Sequence, residues 1–129
     1  MPLPLTPEAE TFLSEYHLAT LSTLSRDGSL HVVPVGFTLR DGIARVITNG
    51  GSQKVRNIRE RGHATISQLD GRHWITLIGS GRILTDPESV LEAVTLYAGR
   101  YRQPRENPER VAILIDVAKV MGSPGMLHD

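Results

Sequence analysis

The sequence contains no cysteine. That removes disulfide scaffolds, thiolate zinc sites, iron–sulfur clusters and cysteine nucleophiles together. Net charge is also missing: 14 Lys and Arg balance 14 Asp and Glu over 129 residues. A neutral chain is poorly suited to neutralising phosphates along a duplex, so no nucleic-acid partner is expected. No run approaches the roughly 20 apolar residues of a membrane span. The opening Met1-Pro2-Leu3-Pro4-Leu5 lacks the basic region and long apolar stretch of a secretory leader. The expectation is a cytoplasmic protein without membrane association. Internal repeats and low-complexity segments are absent too. What is present, 40% apolar and 22% charged residues, is ordinary globular composition. The length suits one domain over 1–129, large enough to fold without covalent staples.

Caps and turns divide the chain. Thr6-Pro7-Glu8 combines a hydroxyl cap, a proline at the first helical position and an early acid, predicting a helix to about Tyr16. Strands are predicted over 17–24, 30–39 and 43–48. Turns at Arg26-Asp27-Gly28-Ser29 and Asp41-Gly42 join them into an antiparallel meander. Pro34 cannot donate to a ladder, so its strand is an edge, bulged, or open to a ligand. Asn49-Gly50-Gly51-Ser52 breaks the pattern, and a helix over about 53–61 follows, closed by Gly62. Strands over 63–69 and 73–84 turn at Asp70-Gly71. Gly79 and Gly81 share a face there, so the backbone bends or something approaches it closely. Asp86-Pro87-Glu88 opens a further helix with Val90, Val94, Tyr97 and Tyr101 at helical spacing. A loop over 103–108 and a strand over 111–120 follow. The sum is mainly β with helices: about six antiparallel strands in a small barrel.

The most informative segment is Gly50-Gly51-Ser52-Gln53-Lys54-Val55-Arg56-Asn57. Two glycines permit a tight turn and close approach to a ligand. Ser52 is expected to cap the helix. A helix N-terminus offers free N–H groups and partial positive charge, which suit a phosphate. Lys54 and Asn57 share one helical face. Lys54, Arg56, Arg59 and Arg61 against Glu60 make a local positive patch. A capped surface helix with a solvated basic face accounts for the same residues. The segment is neither a Walker loop nor a dinucleotide fingerprint. Further candidates are the apolar strand His31 to Gly36, Gln68 with the lone Trp74, and the loop carrying Arg100, Arg102, Arg105 and Arg110. Each also has a plain structural reading: core valines, a core or interface tryptophan, solvated arginines. No histidine pair has metal-ligand spacing, and no Gly-x-Ser-x-Gly elbow is present.

The order helix, meander, Gly-Gly-Ser-Gln-Lys-x-x-Asn helix, two strands, helix, strand resembles the pyridoxamine-phosphate-oxidase-like split β-barrel family of flavin and deazaflavin proteins. The resemblance runs from about Phe12 to Met121. The blocks His17-Leu18-Ala19, His31-Val32-Val33, Val35-Gly36-Phe37-Thr38, Ala44-Arg45-Val46-Ile47-Thr48, Gly50-Gly51-Ser52-Gln53-Lys54 and Arg100-Tyr101-Arg102 are similar to coenzyme F420-dependent biliverdin reductases. The resemblance implies a split β-barrel homodimer with cofactor sites where the copies meet. It implies reduced F420 as hydride donor to a tetrapyrrole or other conjugated substrate. Ser52, Gln53, Lys54 and Asn57 would then hold the cofactor's phosphate, with Gly50 and Gly51 also at the cofactor site. His31, Val32, Val33, Pro34 and Val35 would lie along the deazaflavin ring. Gln68 and Trp74 would close the pocket, and Arg102 and Arg105 would meet acidic groups of cofactor tail or substrate. No metal and no catalytic side chain is implied. Two departures stand out. The chain ends Gly125-Met126-Leu127-His128-Asp129, where true pyridoxamine phosphate oxidases carry an Arg-Leu-x-Pro pattern that binds substrate. Pro34 also occupies a ring-flanking position where a small residue is expected. The alternatives are an FMN-dependent oxidoreductase of the same fold and a non-catalytic protein binding F420, flavin or haem.

Overall fold

The computed structural model describes residues 2–128. Its elements are α1 (Pro7–Ser14), β1 (Ala19–Leu24), β2 (Leu30–Val35), β3 (Thr38–Arg40), β4 (Ile43–Asn49), α2 (Gln53–Arg61), β5 (His63–Asp70), β6 (His73–Leu84), α3 (Pro87–Arg100) and β7 (Arg110–Gly122). The strands form one antiparallel sheet in the order β2-β1-β5-β6-β7-β4-β3.

Seven strands replace the six expected, and the meander over 17–48 does not form. The segment 30–39 is not one strand. β2 pairs with β1 at one edge of the sheet, and β3 pairs with β4 at the other. Gly36 and Phe37 make the break. A Cβ at Gly36 would lie 2.9 Å from Cε2 of Tyr97 and 3.1 Å from Cε2 of Tyr101, so only glycine admits those rings. Phe37 is fully buried, and its N–H donates to the Tyr101 hydroxyl at 3.1 Å. The hydrogen-bonded ladder is therefore open. Val35 and Thr38 are three residues apart, so the sheet curls until its edges come within about 11 Å at this corner. β2 is an edge strand, where Pro34 leaves no ladder bond unmade.

The concave face carries the main core. Leu21, Phe37, Val46, Ile66, Leu77, Ile113 and Ile115 meet Phe12 and Leu13 of α1 and Val55 and Ile58 of α2. Gly81 lies beneath α2, where a Cβ would stand 3.0 Å from Cγ2 of Ile58. Gly79 lies at a register shift opposite β7, where a Cβ would overlap the Asp116 carbonyl. α3 covers the convex face of β4 and β7, packing Ala93 on Ala112 and Leu114. The convex face of β2, β1, β5 and β6 has no such cover. Leu30, Val32, Leu69, Trp74 and Met121 are exposed, and register partners Leu69–Trp74 and Thr76–Met121 share that side. The chain ends meet: Leu5 bridges Leu127, and His128 N–H donates to the Pro4 carbonyl at 2.9 Å. Among the described residues no helix is long and apolar enough to cross a membrane.

Candidate functional site

The start of α2 differs from the other two helix starts. Thr6 Oγ1 accepts from Ala9 N–H at 3.2 Å, and an Asp86 carboxylate oxygen accepts from Ser89 N–H at 3.0 Å. Glu8 and Glu10 stand in the first turn of α1, and Glu88 in that of α3. Both positive ends are thus satisfied within the chain. α2 has no acid in its first turn, and Ser52 makes no cap bond. This corrects the expectation for Ser52. Its backbone is extended as a cap requires, yet its hydroxyl is buried and without a partner. Lys54 stands beside it half-buried, in no ion pair among the described residues, and burial holds its ammonium below the ordinary lysine pKa. Free helix N–H groups, an orphaned hydroxyl and an unpaired cation together fit an anion, and a phosphate suits all three.

The glycines bring a second segment to this point. Gly50 N–H donates to the Glu109 carbonyl at 2.9 Å. A Cβ at Gly50 would lie 3.1 Å from that oxygen, so the turn needs glycine to lie against the entry to β7. Gly51 is exposed with open space where a Cβ would stand, and its carbonyl accepts from the Arg56 guanidinium at 2.6 Å. Arg102 and Arg105 stand exposed on the α3–β7 loop, whose far end is the segment bonded to Gly50. Among the described residues no guanidinium hydrogen bond holds either of them.

Asn57 anchors the helix to the sheet. It is 2% exposed, and its amide donates to Thr23 Oγ1 at 3.0 Å while its oxygen accepts from Gln53 Nε2 at 2.7 Å. Gln53 is exposed, its oxygen taken by Arg56 at 2.7 Å. Arg61 donates to the Arg26 carbonyl at 2.9 Å. Lys54, Asn57 and Arg61 form one helical stripe, and its last two members both touch the β1–β2 hairpin. Lys54 therefore shares the side of α2 that carries the contacts to β1 and the turn.

β2 does not present one wall. His31, Val33 and Val35 face inward as register partners of Thr23, Leu21 and Ala19, while Val32 and Pro34 face outward and are exposed. His31 Nδ1 is buried and has no hydrogen-bond partner. Gln68 and Trp74 face opposite sides of the sheet within one subunit. Gln68 is fully buried, donating to the Phe12 carbonyl at 2.9 Å and accepting from Arg100 at 2.6 Å. Trp74 lies on the bare convex face. Strand alternation separates them: Gln68 pairs with Ile75, and Leu69 with Trp74.

Three residues take structural roles that their spacing in the sequence does not assign. Thr23 receives the α2 anchor. Arg100 donates to the carbonyls of Glu15 at 2.8 Å and Phe37 at 2.6 Å, and lies 4.7 Å above the Phe37 ring. Tyr101 donates to the His17 carbonyl at 2.7 Å. The Arg100-Tyr101 pair was the visible signal, but spacing does not separate a structural arginine from a ligand-binding one. A cleft of about 860 Å³ between the N-terminal segment, α1, β3 and α3 is lined by Leu5, Leu13, Leu39 and Leu96 and contains none of the α2 site residues.

The family model for pyridoxamine 5'-phosphate oxidase matches residues 5–122. The chain belongs to that family. The F420H(2)-dependent biliverdin reductase of Mycobacterium tuberculosis (strain CDC 1551 / Oshkosh) is 49% identical over 125 residues, covering 95% of this chain and 91% of that protein. The crystal structure of a conserved hypothetical protein from Mycobacterium tuberculosis matches with a TM-score of 0.79 at 20% identity, over 95% of this chain and 88% of that one. A structure described as an F420 reductase matches with a TM-score of 0.71 at 23% identity, over 87% and 94%. The two structural likenesses speak for the fold alone. Within the family, this chain's C-terminal residues are spent on tying the two chain ends together.

Proposed function

We propose that this family member is an F420H2-dependent reductase converting biliverdin to bilirubin, working as a homodimer of single-domain subunits. The observation that carries the reading is the 49% identity over 95% of the chain to a reductase of that description. The uncapped start of α2 is the local feature that fits such a cofactor. When bound, the reduced deazaflavin supplies the hydride.

The chain's own residues supply grip and orientation. Ser52 and Lys54, with Gln53 at the rim, hold the phosphate beside the free N–H groups of the helix start. Anchored there, a planar group runs beside edge strand β2, whose outer hydrogen-bonding side is free. Arg102 and Arg105 offer unpaired guanidinium forks to the propionates of a bilin. The bare convex face with Leu69, Trp74 and Met121 receives the second copy, which adds the remaining wall of the site.

Titration with reduced F420 and with FMN, followed by a turnover assay on biliverdin, tests this. Binding of F420 and steady formation of bilirubin are expected. FMN binding with indifference to F420 replaces the cofactor, and F420 binding without turnover leaves a carrier.

A further inference from the structure

We propose that the cleft between α1, β3 and α3 is a docking slot for an extended apolar peptide segment flanked by basic residues, which adds to the sheet beside β3. The proposal does not depend on the cofactor reading, because the cleft contains none of the α2 site residues.

The floor of the slot is a free sheet edge. β3 is terminal in the sheet and pairs with β4 alone. Asp41 and Gly42, both at positive φ, form the two-residue turn that joins them. Such a turn makes Arg40 and Ile43 a hydrogen-bonded pair, and antiparallel alternation makes Thr38 and Arg45 the next one. Leu39 lies between, so its N–H and carbonyl point away from β4, over the free edge. Among the described residues no hydrogen bond takes up either group. Leu39 lines the cleft. A donor and an acceptor on one edge residue are what an added strand requires. Thr38 lines the cleft too. It is 8% exposed, and its hydroxyl is buried without a partner. A hydroxyl in that state costs free energy until a ligand or water meets it.

The walls say what the segment carries. Leu39 packs with Leu13 of α1 in the main core. Thr38 faces the other way, with Arg45, whose partner across the sheet is Leu114 beneath α3. α1 and α3 therefore flank the edge on opposite faces, and Leu13 and Leu96 bring apolar surface to the cleft from each. A strand added there is covered on both faces, so successive side chains have to be apolar rather than alternate ones. The cleft holds about 860 Å³, and β3 has three residues. At roughly 3.3 Å per residue, that edge suits a segment of about three to five residues.

The charges select its flanks. Glu10 and Asp41 line the cleft. Glu10 is in no ion pair among the described residues, and Asp41 has only the exposed Arg40 at 3.9 Å. Arg100, the cation of the lining, is committed to the carbonyls of Glu15 and Phe37 and the side-chain oxygen of Gln68. The charge left over is acidic. It repels phosphates and propionates and attracts Lys or Arg beside an apolar centre.

The probe is the acetylated, amidated peptide Lys-Val-Leu-Val-Lys, titrated into the full-length protein. Amide exchange of Leu39, read by NMR, is expected to slow by roughly tenfold or more on binding. No binding at millimolar peptide, or binding with Leu39 exchange unchanged, overturns the proposal. Gly99 lines the cleft, and a Cβ there meets open space. Gly99→Phe is expected to fold normally, fill the slot and abolish peptide binding; retained affinity overturns the location. Glu10→Gln is expected to weaken the peptide by roughly two- to fivefold. The same peptide with glutamate ends is expected to bind the wild type more weakly than the lysine form, and equal affinities overturn the choice of a basic partner. Leu39 protection that grows with protein concentration in the absence of peptide gives the slot to a second copy and overturns the peptide assignment. Should Gly99→Phe fail to fold, Leu39 exchange and the glutamate-ended peptide decide on the wild type.

Discussion

Lys54 illustrates how one side chain trades stability for binding. Its burial without a carboxylate lowers its pKa, which means the charged form is disfavoured in the free protein. Lys54→Met is expected to weaken F420 binding while leaving the Tm of the ligand-free protein unchanged or slightly higher, read by thermal unfolding with and without cofactor. Gly36 is the opposite case. Gly36→Ala forces a Cβ against Tyr97 and Tyr101, and a loss of about 1–3 kcal/mol in urea unfolding is expected. At this scale the sequence showed which residues were polar and close along a helix, but not which way each faced. Lys54 and Asn57 share a stripe. The short amide reaches only the sheet, whereas the long amine extends past it. Gln68 reads as a pocket residue because polar groups on strands attract that interpretation, and its partners, Phe12 and Arg100, are 56 and 32 positions away.

Among the elements, the C-terminal turn of α3 sets the corner between β2 and β3. Tyr101 accepts from Phe37 N–H and donates to the His17 carbonyl, with Tyr16 and Tyr97 packed on its ring. Tyr101→Phe leaves a buried donor unpaired and is expected to cost about 1–3 kcal/mol. Burial raises the phenol's pKa above its ordinary value of 10.0, although the bond to Phe37 works against this. The unfolded chain ionises first, so stability conferred by the neutral phenol holds below about pH 10 and drains away as pH rises further. Denaturation midpoints between about pH 9 and pH 11 should fall less steeply in Tyr101→Phe than in wild type. Helices were legible here because caps are local: Thr6 and Asp86 announce α1 and α3, and Gly62 ends α2. Ladders were less so. Hairpin turns predict neighbours, but nothing between Val35 and Thr38 except one glycine signals that the chain passes from one edge of the sheet to the other.

The whole molecule has an unequal surface. α3 shields one half of the convex face, while the other half shows Leu30, Val32, Leu69, Trp74 and Met121. Scattered apolar residues are common on proteins, but these lie together on one side of four adjacent strands and their neighbour β7. If the proposed homodimer forms through this face, Leu69→Asp combined with Met121→Arg is expected to leave folded monomers in sedimentation experiments and to depress F420 affinity. A dimer that survives both changes assigns the contact to another face.

The junction at Gly36 and Phe37 joins strands that are terminal in the sheet although consecutive in the chain, and the segments around Leu5 and Leu127 already touch. A circular permutant with new ends at that junction and a short peptide fusing the old ones would preserve every ladder. Whatever such a molecule lost in cooperativity would measure what the seam contributes to keeping an open ribbon of strands curled.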